Sequence, residues 1–276
     1  MSRVLRYAFR FVLLAASGAP LAGAQTYPVT PAVRVDGGSF TMGSNDGPED
    51  ERPAHRVELA PFLIDRTPVT NGQFVDFLNV VGPVNAHGDR LFDLDDPDAR
   101  IRKEGGRWVA DKGFENHPVI EVSWIGGRDY CAWVGKRLPT EAEWEKAARG
   151  TDGRRYPWGN GAPNRTRAQH NAGWRGTAPV GSLPDGASPY GVLDLAGNAW
   201  EWVSSAYRPY PYGHDDGREN LEPGPVRATR GGGQDSPADE ITATQRGRTL
   251  SRNFRSGHHN IGFRCARSSE NGRQNR

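Results

Sequence analysis

The residues able to do soft-metal or redox chemistry in this 276-residue chain are two thiols, Cys131 and Cys265. Their separation excludes a Cys-x-x-Cys redox motif, and two thiols alone do not make a structural zinc site. In an oxidising compartment two cysteines most often pair, so a structural disulfide and a reactive pair are both open. The histidines are scattered and include no i, i+4 pair; His258 and His259 are adjacent, so on a strand they would face opposite ways. Nothing in that spacing points to the two-histidine, one-carboxylate set of a non-haem iron site. Asp93, Asp95, Asp96 and Asp98 are a dense run of carboxylates. Hard oxygen ligands suit Ca²⁺, but this spacing is not that of an EF-hand, and the run reads first as a solvated loop. The glycine clusters of "GGRDY" and "RGGG" are too short to argue a phosphate loop, and no Ser/His/Asp order stands out.

The elements that must position these groups are short. Residues 25–34 read as an extended lead-in, 35–42 as a strand with a glycine kink, and 56–70 as a strand ending near Pro68. A first helix is expected over 69–82, with Thr70 as N-cap and Phe74, Phe77 and Leu78 on one face. Residues 83–117 form a long charged insertion with a hairpin at "GGRWVADKG". Helices follow over 123–135, capped by Ser123, and over 138–150, where Thr140 and Glu143 make a capping box and Gly150 the stop. Beyond 150 the chain turns to Gly-, Pro- and Trp-rich turns and short strands, ending in a strand over 260–267. Trp200, Trp202, Tyr207, Tyr210 and Tyr212 either line a peptide groove or serve as core anchors.

Composition agrees with that outline. With 35 Gly and 21 Pro the chain is too interrupted for a helix bundle, and with 8 Trp, 8 Tyr and 10 Phe it is too aromatic for disorder. Residues 1–24 read as a secretory signal peptide: Arg3, Arg6 and Arg10 precede a short apolar run, and Ala22-Gly23-Ala24 is a small-residue cleavage site. The run is far shorter than the ~20 residues of a spanning helix, so no membrane span is expected after cleavage. Loss of those three arginines from 35 basic side chains, against 33 acidic ones, leaves a mature chain near −1. No basic field suggests nucleic acid. A periplasmic or secreted protein is expected, with residues 25–276 as one domain.

A series of segments then carries a resemblance. "GGSFTMGS", "FLIDRTPVTNGQF", "HPVIEVSW", "YCAWVGKRLPTEAEWEKAARG", "YPWGN", "TAPVGSLP", "YGVLDLAGNAWEW", "RGGG" and "NIGFRCAR" occur in that order. The chain resembles the formylglycine-generating enzyme family, the sulfatase-modifying factors, over nearly its whole mature length. The resemblance implies a single α+β domain of low regular secondary structure, akin to a C-type lectin. It implies a disulfide between Cys131 and Cys265. It also implies calcium held by the side chains of Asp194 and Glu201 and the carbonyls of Gly197 and Ala199; Asp194 stands where the family has Asn. Asn171-Ala172 match the start of the family's second calcium site, but the residues after them supply no acid.

The best-known members of the family oxidise a sulfatase cysteine with O₂ and Cu(I), held by two closely spaced cysteines shortly before the "GFRC" strand. Here Thr244 and Thr249 are placed at those positions, and no cysteine lies anywhere between Cys131 and Cys265. A hydroxyl is a poor Cu(I) ligand, so copper is not expected and no catalytic residue is assigned. The resemblance therefore implies an exported, monomeric maturation factor that takes a peptide, protein or small-molecule substrate in the family's cleft without copper-dependent cysteine oxidation. Relatives of that kind include periplasmic proteins of siderophore maturation. The alternative is a non-catalytic ligand- or protein-binding module on the same scaffold.

Overall fold

The computed structural model describes residues 29–173, 176–222, 224, 226–247, 257–258 and 260–269. Residues 1–24 and Thr249, which carry two of the expectations above, lie outside the described residues.

Short elements follow from frequent breakers. The strand expected over 35–42 is two strands, β1 (Ala32–Val35) and β2 (Gly38–Met42), because Gly38 turns the chain at φ 105°. The strand expected over 56–70 divides likewise, at Pro61, into β3 (His55–Leu59) and β4 (Phe62–Asp65). Helix α1 (Asn71–Val81) has its capping box, Thr70 with Gln73, and buries Phe74, Phe77 and Leu78 as the pattern required. β5 (Ile101–Glu104) and β6 (Arg107–Ala110) form the hairpin of the insertion. α2 (Trp124–Trp133) is capped by Ser123, and α3 (Glu141–Arg149) by the Thr140–Glu143 box. β7 (Trp200–Ala206) and β8 (Arg227–Arg230) follow. The single terminal strand expected over 260–267 is two, β9 (Ile261–Phe263) and β10 (Ala266–Ser268).

That last break organises the molecule. β9 runs parallel to β7 in the sheet β8-β7-β9, whereas β10 pairs antiparallel with β4 in the sheet β1-β4-β10. The two residues between them, Arg264 and Cys265, sit where the chain passes from one sheet to the other, and both are fully buried. Cys265 is bonded to Cys131 of α2, with Cα atoms 5.6 Å apart and a separation of 134 positions along the chain. Two apolar clusters flank this crossover. One gathers α3, β2 and β3 around Trp144; the other packs α1 and α2 against β9 through Phe74, Phe77, Tyr130 and Phe263. Every residue of β7 is buried. Trp202 Nε1 of β7 donates to the Val122 carbonyl at 2.9 Å, and Trp124 Nε1 of α2 donates to the Val203 carbonyl of β7 at 2.8 Å.

The paired glycines of "GGRDY" belong to packing. A Cβ on Gly126 would lie 2.0 Å from the Leu91 carbonyl, so α2 needs that glycine to approach the insertion's backbone. Among the described residues no helix is long and apolar enough to cross a membrane.

Opening the disulfide should loosen the crossover. In the chain-entropy picture a loop of this length is worth at most ~5 kcal/mol. Cys131→Ser with Cys265→Ser is expected to lower Tm by several degrees without abolishing folding, and peptide mapping of the untreated protein should recover one cross-linked Cys131–Cys265 pair. Two freely alkylated thiols in the oxidised protein would contradict the bond.

Candidate functional site

The "TEAEWEKAAR" segment builds the most highly charged part of the interior. Helical spacing puts Glu141, Glu145 and Arg149 one turn apart on a single face, while Glu143 turns outward to Arg137 at 2.6 Å. Both Glu141 and Glu145 are fully buried and meet guanidinium groups from the Gly-rich half of the chain. Arg246 Nε donates to Glu141 at 2.7 Å, and Arg230 Nη2 donates to Glu145 at 2.5 Å. Arg230 also reaches Glu141 and the carbonyls of Ala243 and Thr244. Burial pushes the Glu141 carboxyl up, but Arg246 and Arg230 outweigh it and hold the group below the ordinary carboxylate range.

Arg246 is also the floor of a cavity of about 580 Å³. Its guanidinium lies 4.4 Å from the Tyr207 ring centroid and 4.2 Å from that of Tyr210. It donates further to the carbonyls of Asp50 (2.7 Å) and Arg208 (2.9 Å). The walls are the short helical turn Glu49–Glu51 with Arg52 and Pro53 on one side, and Tyr207, Pro209 and Tyr210 on the other. The Tyr207 hydroxyl donates to Asp50 Oδ2 at 2.6 Å and ties the walls together. Behind the first wall Glu51 is 2 % exposed, and its Oε1 has no hydrogen-bond partner. Burial raises its pKa above the usual range, a hydrogen bond with Thr244 and the charge of Arg230 acting the other way. The site can therefore hold an aromatic or apolar group between tyrosine and proline faces, with a rim of both signs from Glu49, Asp50 and Arg52.

The five aromatic residues divide between the two roles open to them. Trp200, Trp202 and Tyr212 are core residues, Tyr207 lines the cavity, and Tyr210 does both. Thr244 is buried behind the Glu51 wall, its Oγ1 3.4 Å from that of Thr242. The cavity groups Glu51, Arg52 and Arg246 were not singled out from the sequence, because nothing in their local pattern separates them from solvated surface charges.

Asp194, Gly197 and Ala199 lie on the tight turn leading into β7, and Glu201 is the second residue of that strand. Asp194 (φ 56°), Gly197 (φ 76°) and Asn198 (φ 65°) are all left-handed, and a Cβ on Gly197 would fall 2.3 Å from the Gln169 carbonyl. Glu201 accepts from Arg264 Nη2 at 2.6 Å, Arg264 Nε at 2.7 Å and Trp144 Nε1 at 2.8 Å. Arg264 also donates to the carbonyls of Asp65, Leu193 and Asp194. Asp194 Oδ2 accepts from the Gly181 N–H at 2.7 Å. Burial pushes the Asp194 carboxyl up to about 6, with the Glu201 charge adding to it and Gly181 and Arg264 opposing. Three of the roughly four acceptor sites of Glu201 are taken, two of them by Arg264, while Asp194 keeps its second oxygen; both are hard oxygen donors.

The carboxylates of the insertion are not all solvated. Asp93 and Asp95 pair with Arg90 at 3.2 and 3.0 Å. Asp98 is buried, and its carboxylate gathers with those of Asp96 and Glu121 so that one oxygen of each lies within 4.8 Å of the others. Burial, then Asp96, Asp93 and Asp98, push Glu121 up to about 8. No histidine joins a group of three or more such ligands among the described residues.

Comparison with known proteins places the chain. Residues 19–269 match the family of the sulfatase-modifying factor enzyme 1-like domain. The inactive Cα-formylglycine-generating enzyme 2 of Mus musculus is 35% identical over 277 residues, covering 86% of this chain and 85% of its own. The serine/threonine-protein kinase Pkn1 of Chlamydia trachomatis is 38% identical over 246 residues, 87% of this chain, but the match spans only 38% of that longer protein. Among solved structures, PvdO from Pseudomonas aeruginosa superposes with a TM-score of 0.65 at 28% identity, covering 86% of this chain and 94% of its own.

Removing one partner of the buried pairs should leave an uncompensated charge. Glu141→Gln is expected to cost about 3–5 kcal/mol in urea unfolding. The carboxyl's folded pKa is depressed, so its contribution is present above its unfolded value and lost as pH falls through the folded one. The wild-type advantage over Glu141→Gln should therefore shrink below about pH 4; a pH-independent difference would show that Glu141 acts only through packing.

Proposed function

Because the chain belongs to the sulfatase-modifying factor family, we propose that it is an exported maturation factor that takes a peptide or small metabolite in the Arg246 cavity and does not carry out copper-dependent cysteine oxidation. The observation that carries the reading is the fate of the thiols: both are buried and joined to each other. Cu(I) is held by soft thiolates. Thr244 offers a hydroxyl behind the cavity wall, and Thr249, the other position assigned to the missing pair, is likewise a hydroxyl.

The cavity's chemistry supports binding of a segment with an aromatic or apolar side chain. Tyr207, Tyr210, Pro53 and Pro209 offer flat faces, and Arg246 stays fixed by Glu141 beneath them. A binding module without turnover is the second reading, favoured by the likeness to the inactive mouse relative. Calcium belongs to the proposal as a structural ion: Asp194 and Glu201 would hold it with the Gly197 and Ala199 carbonyls, setting the turn that leads into β7.

Separate measurements test these points. The protein isolated from the exported fraction, with Gln25 as its first residue, should give no aldehyde above background with Cu(I), O₂ and a Cys-x-Pro-x-Arg peptide. Turnover of that peptide would overturn the argument from the thiols. Binding of candidate peptides without O₂ consumption would favour the module over the enzyme. For the ion, EDTA should lower Tm, and Asp194→Gly, which keeps the left-handed turn while removing the carboxylate, should bind one Ca²⁺ fewer than wild type. Equal stoichiometry in the two proteins would remove calcium from this turn.

A further inference from the structure

We infer that Asp96, Asp98 and Glu121 form a second divalent-cation site, remote in sequence from the Asp194 turn and suited to Ca²⁺, which fastens the charged insertion to the segment that leads into α2. The three carboxylates come from two separate stretches. Asp96 and Asp98 lie in the loop after Phe92, whereas Glu121 lies within the buried run 119–122 that leads to the Ser123 cap. Backbone bonds bring the stretches together: the Asp93 N–H donates to the Glu121 carbonyl at 2.9 Å, and Phe92 bridges to Val122. Within the loop the Asp98 N–H donates to Asp96 Oδ1 at 2.8 Å, which holds the Asp-x-Asp carboxylates on one side.

Glu121 carries the inference beyond a cluster of acids. It is 1 % exposed, its Oε1 has no hydrogen-bond partner, and its carboxylate is aimed at those of Asp96 and Asp98. An unpaired buried carboxylate oxygen is costly, and placing it against two further carboxylates compounds the cost. Its backbone is also left-handed, at φ 63°, a conformation that a long side chain rarely takes. Strain, burial and like charge converge on one residue, as they do where a side chain is held for a ligand. Among the described residues Arg90 pairs with Asp93 and Asp95, and Arg100 pairs with Asp111 and covers the face of Phe114.

The ligand chemistry selects the ion. All three donors are hard oxygens, which excludes a soft thiophilic metal. Ligand oxygens around Ca²⁺ stand about 2.3–2.6 Å from the ion, and so at most about 5 Å from one another, which the 4.8 Å grouping meets. Half-exposed Asp96 leaves a side for water, and irregular loop backbone accommodates the flexible, high coordination number of Ca²⁺ better than the strict octahedron of Mg²⁺. Segment 257–258 packs directly behind: the Glu121 N–H donates to the His258 carbonyl at 3.1 Å, and a Cβ on Gly257 would lie 2.1 Å from the Glu121 carbonyl. An ion here would therefore stiffen three stretches of chain at once.

The test uses the full mature chain, stripped with EGTA, and counts bound ⁴⁵Ca²⁺ by equilibrium dialysis alongside melting curves. Glu121→Gln and the double variant Asp96→Asn, Asp98→Asn should each bind one ion fewer than wild type. Added after EGTA treatment, Ca²⁺ should raise the Tm of Glu121→Gln less than that of wild type. Asp194→Gly should keep this ion, which separates the present site from the turn before β7. Wild-type stoichiometry in both variants, or no Ca²⁺ bound by wild type, would overturn the inference and leave Glu121 as a buried, protonated acid.

Discussion

The structure depends on buried carboxylate–guanidinium pairs. With strands of three to seven residues and helices of nine to eleven, regular hydrogen-bond ladders fasten little of the chain. Glutamates instead meet arginines in the interior: Glu141 with Arg246, Glu145 with Arg230 and Arg149, and Glu201 with Arg264. An arginine has five donors in a rigid fork, so each one can satisfy a carboxylate and still reach the carbonyls of loops that have no ladder partner. Arg264 does this for the stretches around Asp65 and Leu193, and Arg246 for those around Asp50 and Arg208. Such pairs contribute little net stability over an apolar core, but they define where each loop must lie.

The cavity inherits its shape from that arrangement. Arg246 cannot turn toward a ligand without giving up Glu141, so it acts as a fixed cationic floor for Tyr207 and Tyr210. The disulfide has a comparable role on the other side of the core. It joins α2 to the crossover between β9 and β10, the point where one strand pair hands the chain to another sheet. Thiols used this way serve the scaffold, and the chemistry left to the cavity is that of carboxyl, hydroxyl and aromatic groups.

Local chemistry made much of the fold legible. The Thr70 and Ser123 caps, the Thr140–Glu143 box and the Gly150 stop placed the three helices to within three residues, because a helix end must satisfy its free N–H groups with nearby side chains. Strand division was less legible. Gly38 and Pro61 each split a strand read as continuous, and 260–267 crossed from one sheet to another at Arg264-Cys265. A buried run such as "NIGFRCAR" has the same apolar pattern whether it stays in one sheet or changes partner.

The sequence by itself determined the family, the mixed architecture with few regular elements, the pairing implied for Cys131 and Cys265, and the absence of a copper thiolate pair. These rest on residue types, ordered motifs and caps, which are local. Only the tertiary structure decided which charges are internal. Glu51, Glu121 and Arg246 look like ordinary surface residues in the chain, and Asp98 looks like its neighbours Asp93 and Asp95. Their roles come from what is packed against them: α3 under Arg246, Thr244 behind Glu51, and the insertion folded over Glu121. Desolvation and the sign of the nearest charge are properties of spatial neighbours, and those neighbours come from distant parts of the chain.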